Sequence, residues 1–316
     1  MAADERSPRA RALAVARVAY VAALGVVLVV AVVDRRDELA ALVEGTQPGR
    51  LAAALVLTFG QLWLSALWWS SALRGLGSPS RSATVLHATV RSLPARYLPG
   101  SIWYPLGRAA LLASTGVRKS ALATVAALEL ALSVVVAFAV GGLLLALSGL
   151  PPAGGVAVGL LCVALVVAAS PPVLNRSLAW LARRRRLVPP QLGWAAYGRL
   201  LGWMAAFWAL SAVAFTVYLG AFPDITVPQP VTVAGAFLVA WGVGTLAVFA
   251  PQGLGVFEVT LAALLVGRPG VGMAVVVGGF RALVVVRDVI AFGAGALRHP
   301  PSRTPAGNAG PAGESR

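Results

Sequence analysis

The chain has 316 residues, of which 59% are hydrophobic and only 12% are charged. An ordinary soluble domain carries about 25% charged residues, so this composition excludes a soluble enzyme, a disordered chain and a nucleic-acid-binding domain. Its 26 lysines and arginines against 11 aspartates and glutamates give a net charge of +15. The arginines lie between apolar segments, so their expected partner is an anionic membrane surface and not nucleic acid.

Seven apolar segments predict membrane-spanning helices. The first covers about residues 13–33 and ends in a charged cluster at residues 34–38. We interpret it as an uncleaved span, with a signal peptide as the alternative. The other six segments cover about residues 51–73, 121–147, 154–169, 200–219, 231–249 and 271–297.

Two further apolar stretches, residues 98–114 and 251–266, each begin with a Pro/Gly turn. Each leaves room for a helix of about three or four turns, too short to cross a hydrocarbon core of roughly 30 Å. We expect them to be re-entrant or buried within the protein, although a crossing by 251–266 would raise the span count to eight. The predicted fold is therefore an all-α, polytopic membrane helix bundle with about seven or eight spans and two short broken helices.

The arginines also predict orientation. They are concentrated in residues 74–119 and 176–199, whereas residues 149–154 carry no charge and residues 220–230 carry only Asp224. Because basic loops remain on the cytoplasmic side, we expect a plasma-membrane protein with a cytoplasmic N-terminus at residues 1–11. Residues 12–297 would form one transmembrane domain and residues 298–316 a disordered tail. The side of the C-terminus depends on whether seven or eight segments cross.

Ionisable residues inside the apolar segments are the strongest functional signal. Each costs about 2.5–3.5 kcal/mol at the centre of a membrane helix. They are Glu129, Glu258, Arg281, Arg287 and Asp288. Arg281 and Asp288 are two helical turns apart and share a face, from which Arg287 is turned by about 100°. Three interpretations remain open: a polar substrate site, ion pairs that lock helices together, or arginine side chains that extend to the membrane interface.

The first broken stretch predicts an anion site. Pro99 and Gly100 interrupt the chain, and the helix that restarts after them would direct free N–H groups at the break, between Arg96 and Arg108. The alternative is a cytoplasmic loop with an interfacial Trp103. Pro99 lies 30 residues before Glu129, and Pro251 lies 30 residues before Arg281. Corresponding interruptions in two halves of a chain are typical of transporters.

Small-residue spacings occur as well. The G-x-x-x-G pairs at Gly155 and Gly159 and at Gly198 and Gly202 indicate close helix packing or dimerisation. Gly253 and Gly255 form a G-x-G, but a dinucleotide site would also need a preceding strand and a third glycine.

Two segments carry a family resemblance. Arg96-Tyr97-Leu98-Pro99-Gly100, followed by Trp103, Gly107-Arg108 and Glu129, resembles the first signature of the lysylphosphatidylglycerol synthase transmembrane family, also called flippase-like membrane proteins. Pro251-Gln252-Gly253-Leu254-Gly255 with Glu258 resembles the second. The resemblance covers about residues 10–297. It implies the membrane half of the family alone, without the soluble aminoacyl-transferase domain of fused members, and a role in moving a lipid across the bilayer.

The leading hypothesis is a flippase-like protein that translocates an anionic phospholipid or a polyprenyl-phosphate-linked glycan. The predicted substrate-binding residues are Arg96, Pro99, Gly100, Trp103, Arg108, Glu129, Gly253, Gly255, Glu258, Arg281 and Asp288. No cofactor or metal is expected, because the chain has one cysteine and two histidines and lacks a phosphate-binding P-loop. Because the resemblance covers the membrane half without the aminoacyl-transferase domain, the chain is not expected to be an enzyme. The alternatives are a membrane transferase acting on a lipid phosphate, with Glu129, Glu258 or Asp288 as base, and an accessory scaffold of a cell-envelope glycosyltransferase.

Overall fold

The computed structural model describes residues 44–98, 102–149, 170–184, 192–223, 228–247, 250, 253–266 and 271–297. Within these ranges the regular structure is entirely helical, which confirms the predicted all-α class. The helices are α1 (Pro48–Gly75), α2 (Ser82–Arg91), α3 (Trp103–Ala113), α4 (Lys119–Leu147), α5 (Pro171–Arg184), α6 (Trp194–Leu219), α7 (Pro230–Leu246), α8 (Val256–Val266) and α9 (Val271–Leu297). A 3-10 helix at Leu93–Tyr97 lies between α2 and α3.

Three described helices, α1, α4 and α6, are long and apolar enough to cross a membrane. They correspond to the predicted segments 51–73, 121–147 and 200–219. Helix α9 has 27 residues but carries three charged side chains, and α7 has 17 residues and ends at Leu246 instead of the predicted residue 249. The predicted segments 13–33 and 154–169, residues 1–11 and the tail 298–316 lie outside the described residues.

The two broken stretches each contain a short helix, as predicted. Helices α3 and α8 have 11 residues each. At 1.5 Å per residue each is about 16 Å long, roughly half of a hydrocarbon core. Both helices pack against longer neighbours: α3 contacts α4, and α8 contacts α7 and α9. The bundle therefore combines long apolar helices with two short ones that bring polar residues inside it.

Helix α6 lies at the centre of the described bundle. It packs along α1, where the Trp68 indole N–H donates to the Leu200 carbonyl oxygen at 3.1 Å. The Trp208 indole donates to the Ser133 carbonyl on α4 at 3.1 Å. The Tyr218 hydroxyl donates to the Val276 carbonyl on α9 at 2.8 Å. Buried indole and hydroxyl groups need such partners, so these bonds fix how three helices sit against α6.

Helices α4 and α7 approach closely through glycine. A Cβ atom on Gly141 would lie 2.8 Å from the Leu238 Cβ and 3.0 Å from the Gly235 carbonyl oxygen. Only hydrogen fits at that position, and small residues at crossing points are the usual means by which membrane helices pack. An aromatic cluster fills the neighbouring core, where the Phe215 ring stacks on Phe237 at 4.7 Å and meets Phe280 edge-on at 5.1 Å.

Candidate functional site

The ionisable residues of the bundle interior form three groups of ion pairs. In the first, Arg108 of α3 is fully buried, and its Nη1 lies 3.1 Å from both Glu129 Oε1 and Ser65 Oγ. Its guanidinium also lies 4.8 Å from the Trp69 ring centre and 4.5 Å from that of Tyr104, which adds cation–π attraction. These contacts hold one oxygen of Glu129. The other, Oε2, is buried without a hydrogen-bond partner among the described residues.

The second group joins α8 to α9. Glu258, the third residue of α8, accepts a hydrogen bond through Oε2 from the Gly255 N–H at 2.7 Å, an arrangement that caps the start of the helix. Its Oε1 forms an ion pair with Arg281 Nε. The Arg281 guanidinium also lies 4.9 Å from the Phe257 ring centre. One carboxylate therefore both starts the short helix and fixes the orientation of Arg281.

In the third group, two arginines share one carboxylate. Asp288 Oδ2 lies 3.2 Å from Arg96 Nη1 and accepts from the Tyr97 hydroxyl at 2.8 Å. Asp288 Oδ1 accepts from Arg287 Nε at 2.8 Å. The fully buried Arg287 also donates to Gln61 Oε1 at 2.8 Å. Asp288 therefore holds two positive charges side by side.

Tyr97 adds a hydrogen bond to the Asp288 carboxylate in this third group. It is the last residue of the 3-10 helix and lies outside the three long apolar helices. Partial burial raises the pKa of its hydroxyl above the ordinary tyrosine value, and the neighbouring Asp288 carboxylate raises it further. The group therefore stays protonated near neutral pH and donates to Asp288, so the carboxylate keeps three donors.

The first two ion pairs have the same layout with the charges exchanged. In each, a short helix contributes one charge and the long helix that follows it contributes the other. Arg108 on α3 pairs with Glu129 on α4, and Glu258 on α8 pairs with Arg281 on α9. This correspondence extends the two 30-residue spacings of the sequence and resembles the paired broken elements of transporters.

Two cavities adjoin the ion pairs. The Glu129 cavity, named for the carboxylate in its wall, has a volume of about 130 Å³. The Arg281 cavity has a volume of about 310 Å³ and includes Tyr97 and Ser211 in its wall. Four residues line both cavities: Gln61, Arg96, Phe207 and Trp241. The two cavities are therefore neighbours that share part of their lining, Arg96 included.

Four of the predicted site residues line these cavities. Arg96 lines both. Glu129 and Gly253 line the Glu129 cavity, and Arg281 lines the other. Gly253 has a φ of +66°, and a Cβ on it would overlap the backbone of Gly244, so glycine is required where the break meets the end of α7.

The other predicted residues that the structure describes lie outside the cavity walls. Arg108, Glu258 and Asp288 hold the charged residues in place through the ion pairs described above. Gly255 donates to Glu258. Trp103 is 44% exposed and lines neither cavity. Pro99 and Gly100 lie outside the described residues, as does the predicted anion site at that break.

Several residues of the site were not among the predicted substrate-binding residues, although the sequence analysis already named Arg287 as an ionisable residue inside an apolar segment. Arg287 was placed off the face shared by Arg281 and Asp288, yet it is fully buried and bonded to its neighbour in the chain. A charged arginine is costly within an apolar membrane segment, and this cost indicated a buried role for Arg287. Gln61, a polar residue inside the apolar segment 51–73, gave the same kind of signal. Tyr97 and Tyr104 gave no such signal, because tyrosine is ordinary at a membrane interface.

Among the residues that the structure describes, no three His, Cys, Asp or Glu side chains come together as metal ligands would. The fold and the site together define a helical membrane protein whose bundle carries buried arginine–carboxylate pairs beside two cavities with both apolar and charged residues in their walls. The family model for the lysylphosphatidylglycerol synthase TM region matches residues 12–290, and the chain belongs to this family. The family predicted from the two signatures is thus confirmed. No curated protein and no solved structure matches the chain.

Proposed function

We propose that the protein translocates an anionic lipid, or a lipid-linked envelope precursor, across the plasma membrane. The headgroup would pass through the Glu129 and Arg281 cavities while the hydrocarbon tails stay in the bilayer. We further propose that the N-terminus is cytoplasmic, because the basic segments are expected on that side. The partners would then be membrane lipids, with an envelope glycosyltransferase as a further candidate.

One observation carries this proposal: Arg96 lies in the wall that the two cavities share. A phosphate group entering the hydrocarbon region loses its hydration, and a guanidinium can replace part of it with charge-assisted hydrogen bonds. A cation common to both cavities offers the same bonds before and after the headgroup moves from one to the other. Arg281 would contact the anion in its own cavity, and Arg108 would act indirectly by holding Glu129.

Transport accounts for the carboxylates better than lipid-phosphate transfer does. A transferase would need one of the three carboxylates as a general base. Glu258 is engaged by Gly255 and Arg281, and Asp288 is engaged by two arginines and Tyr97. Paired in this way, these two carboxylates serve to hold cations in place, which supports a binding role for the site. Glu129 is paired with Arg108 through one oxygen only, so a transferase would have to use Glu129 as its base, and product formation from a lipid phosphate and an added donor would reveal it. We therefore propose that the protein is not an enzyme.

The test is lipid translocation in liposomes that contain the purified protein. A fluorescent phosphatidylglycerol is placed in both leaflets, and a membrane-impermeant reductant reports how fast the inner pool reaches the outer leaflet. We expect Arg96→Gln to slow translocation by about tenfold or more, because a hydrogen bond to a charged group contributes about 1.5–3 kcal/mol. The matched control is Arg199→Gln, since Arg199 is exposed and lines neither cavity. The proposal fails if the wild-type protein moves lipid no faster than protein-free liposomes, or if both variants behave alike.

A further inference from the structure

Helix α5 is tied to the rest of the bundle by one side chain near its start. Asn175 donates through Nδ2 to the Leu192 carbonyl oxygen at 3.0 Å, and its Oδ1 accepts from the Leu192 N–H at 2.9 Å. Leu192 is buried and lies two residues before α6, and Leu174 of α5 packs against the main core. The start of α5 is therefore fixed beside the start of α6.

The same end of the bundle contains the end of α1 and the start of α4. A Cβ atom on Gly75 of α1 would lie 3.1 Å from the Ala196 Cβ of α6. Arg118, which precedes α4, donates through Nη2 to the Leu76 carbonyl oxygen at 2.6 Å. The termini of α1, α4, α5 and α6 thus meet in one region, which we call the basic end for the charges that it carries.

The basic end has a large excess of positive charge. Its exposed cations include Arg74, Arg118, Lys119, Arg176 and Arg199. Between residues 45 and 223 the sequence contains a single acidic residue, Glu129, and Glu129 pairs with Arg108 inside the bundle. The sequence places four more arginines at residues 183–186, at and beyond the end of α5. Such a surface is complementary to an anionic partner.

The exposed face of α5 indicates which anionic partner fits. Val173 and Trp180 are 39% and 57% exposed and lie two helical turns apart, on one face with the exposed Arg176 and Ser177. An indole beside a guanidinium is typical of helices at the membrane–water interface, where the ring lies among the headgroups and the cation meets lipid phosphates. At 1.5 Å per residue this 14-residue helix is about 21 Å long, too short to cross the bilayer.

We propose that α5 lies in the plane of the membrane surface and binds the anionic lipids of that leaflet, with Arg176 at the phosphates and Trp180 among the headgroups. The bonds between Asn175 and Leu192 hold the helix at that surface. No described residue of α5 lines the Glu129 or the Arg281 cavity. The inference therefore goes beyond the proposed function, and it holds whether or not the protein moves lipid.

The experiment uses the full chain in nanodiscs of phosphatidylcholine, either alone or with a third of it replaced by phosphatidylserine. Ser177→Cys in a Cys162→Ser background carries an environment-sensitive fluorophore, and acrylamide quenching measures its water-exposed fraction. We expect phosphatidylserine to lower that fraction about fivefold or more, since each basic residue near an anionic surface contributes about 1 kcal/mol. About 1 M salt should reverse the effect, because the Debye length then falls to about 3 Å.

Two substitutions and one second labelling site connect the effect to α5. Arg176→Gln should raise the exposed fraction in phosphatidylserine about fivefold, whereas Arg176→Lys keeps the charge and should keep the wild-type response. The matched labelling site is Ser148→Cys, just after the other end of α4. Its hydroxyl donates to a preceding carbonyl oxygen, as that of Ser177 does, and its label should not respond to phosphatidylserine.

Three results would overturn the proposal: equal quenching of the residue 177 label in both kinds of nanodisc, a wild-type response from Arg176→Gln, or an equal response at residue 148. If soluble polyglutamate protects the label and phosphatidylserine does not, the partner of α5 is an acidic polypeptide and the membrane assignment is wrong. A failure of the translocation assay leaves each of these outcomes unchanged, so the two proposals fail separately.

Discussion

At the scale of single residues, each buried charge depends on a specific partner. Arg108 is held between two aromatic rings and bonded to Glu129 and Ser65. An unpaired carboxylate in such surroundings is far less stable than a paired one, because nothing replaces its lost hydration. The stability of the bundle should therefore respond to single changes in the pair more strongly than to removal of both charges.

Arg108→Met should lower the free energy of unfolding by about 3–5 kcal/mol, since it leaves Glu129 buried without its counter-charge. The double variant Arg108→Met/Glu129→Gln should recover most of that loss, because no unpaired charge remains. Unfolding in detergent micelles, followed by tryptophan fluorescence, measures both. Equal stability of the single and double variants would show that the pair is not energetically coupled.

Charged residues inside apolar segments can be identified from the sequence because they are costly there, but their partners cannot. Those identified in this way as interior residues include Glu129, Glu258, Arg281 and Asp288. Partners depend on which helices adjoin, and an apolar segment in a membrane gives little indication of its neighbours. Glu129 pairs with Arg108 from the first broken stretch, a partner that the apolar pattern did not single out.

At the scale of helices, the broken stretches and the long helices after them form two comparable units. Each short helix has 11 residues, and each is tied to the next long helix by one ion pair. The Pro/Gly turns and the 30-residue spacings were enough to predict short helices at these places. The ion pair within each unit was not predictable, because side-chain contacts depend on helix packing, which residue spacing does not encode. In one unit the short helix carries the arginine and in the other it carries the glutamate.

The glycine spacing at Gly198 and Gly202 marks no helix contact within the described part of this chain, and dimerisation, the other interpretation of that spacing, stays a prediction. Gly198 and Gly202 have the spacing of a packing motif, yet a Cβ on either would meet nothing within 4 Å among the described residues. The close contact instead joins Gly141 to Gly235, on helices far apart in the sequence. In a chain with 34 glycines, pairs at four-residue spacing are expected by chance.

Gly141→Ala should therefore destabilise the protein, because the added methyl group would force α4 away from Leu238 and Gly235. Overpacking costs about 1–3 kcal/mol, which outweighs the gain of about 0.8–1.0 kcal/mol in helix propensity. Gly202→Ala makes the same chemical change in open space and should be neutral or stabilising. Thermal unfolding in micelles compares the two, and a lower midpoint for Gly202→Ala than for Gly141→Ala would refute the contact.

At the scale of the whole molecule, the bundle is apolar outside and charged inside. Val56, Leu143 and Val213, on the three apolar helices, are exposed as lipid-facing residues would be. Composition alone predicts this membrane class. It does not predict the cavities, because a cavity is the space that remains after all helices have packed, and small changes in crossing geometry would close it.

The central claim is that the buried charges adjoin accessible cavities and not a solid core. Ser211 and Ser70 provide a matched pair to test it. Both are 2% exposed and donate to the carbonyl oxygen four residues earlier, but Ser211 lines the Arg281 cavity and Ser70 lines neither cavity. Each is changed to cysteine in a Cys162→Ser background, which removes the only native thiol.

The measurement is labelling of these two cysteines by a small, membrane-impermeant anionic thiol reagent in liposomes, with and without an excess of phosphatidylglycerol. The account predicts that Ser211→Cys is labelled, that the anionic lipid slows its labelling, and that Ser70→Cys stays unlabelled. If both cysteines stay unlabelled, the ion pairs only hold helices together. A translocated lipid headgroup would then have no path through the bundle.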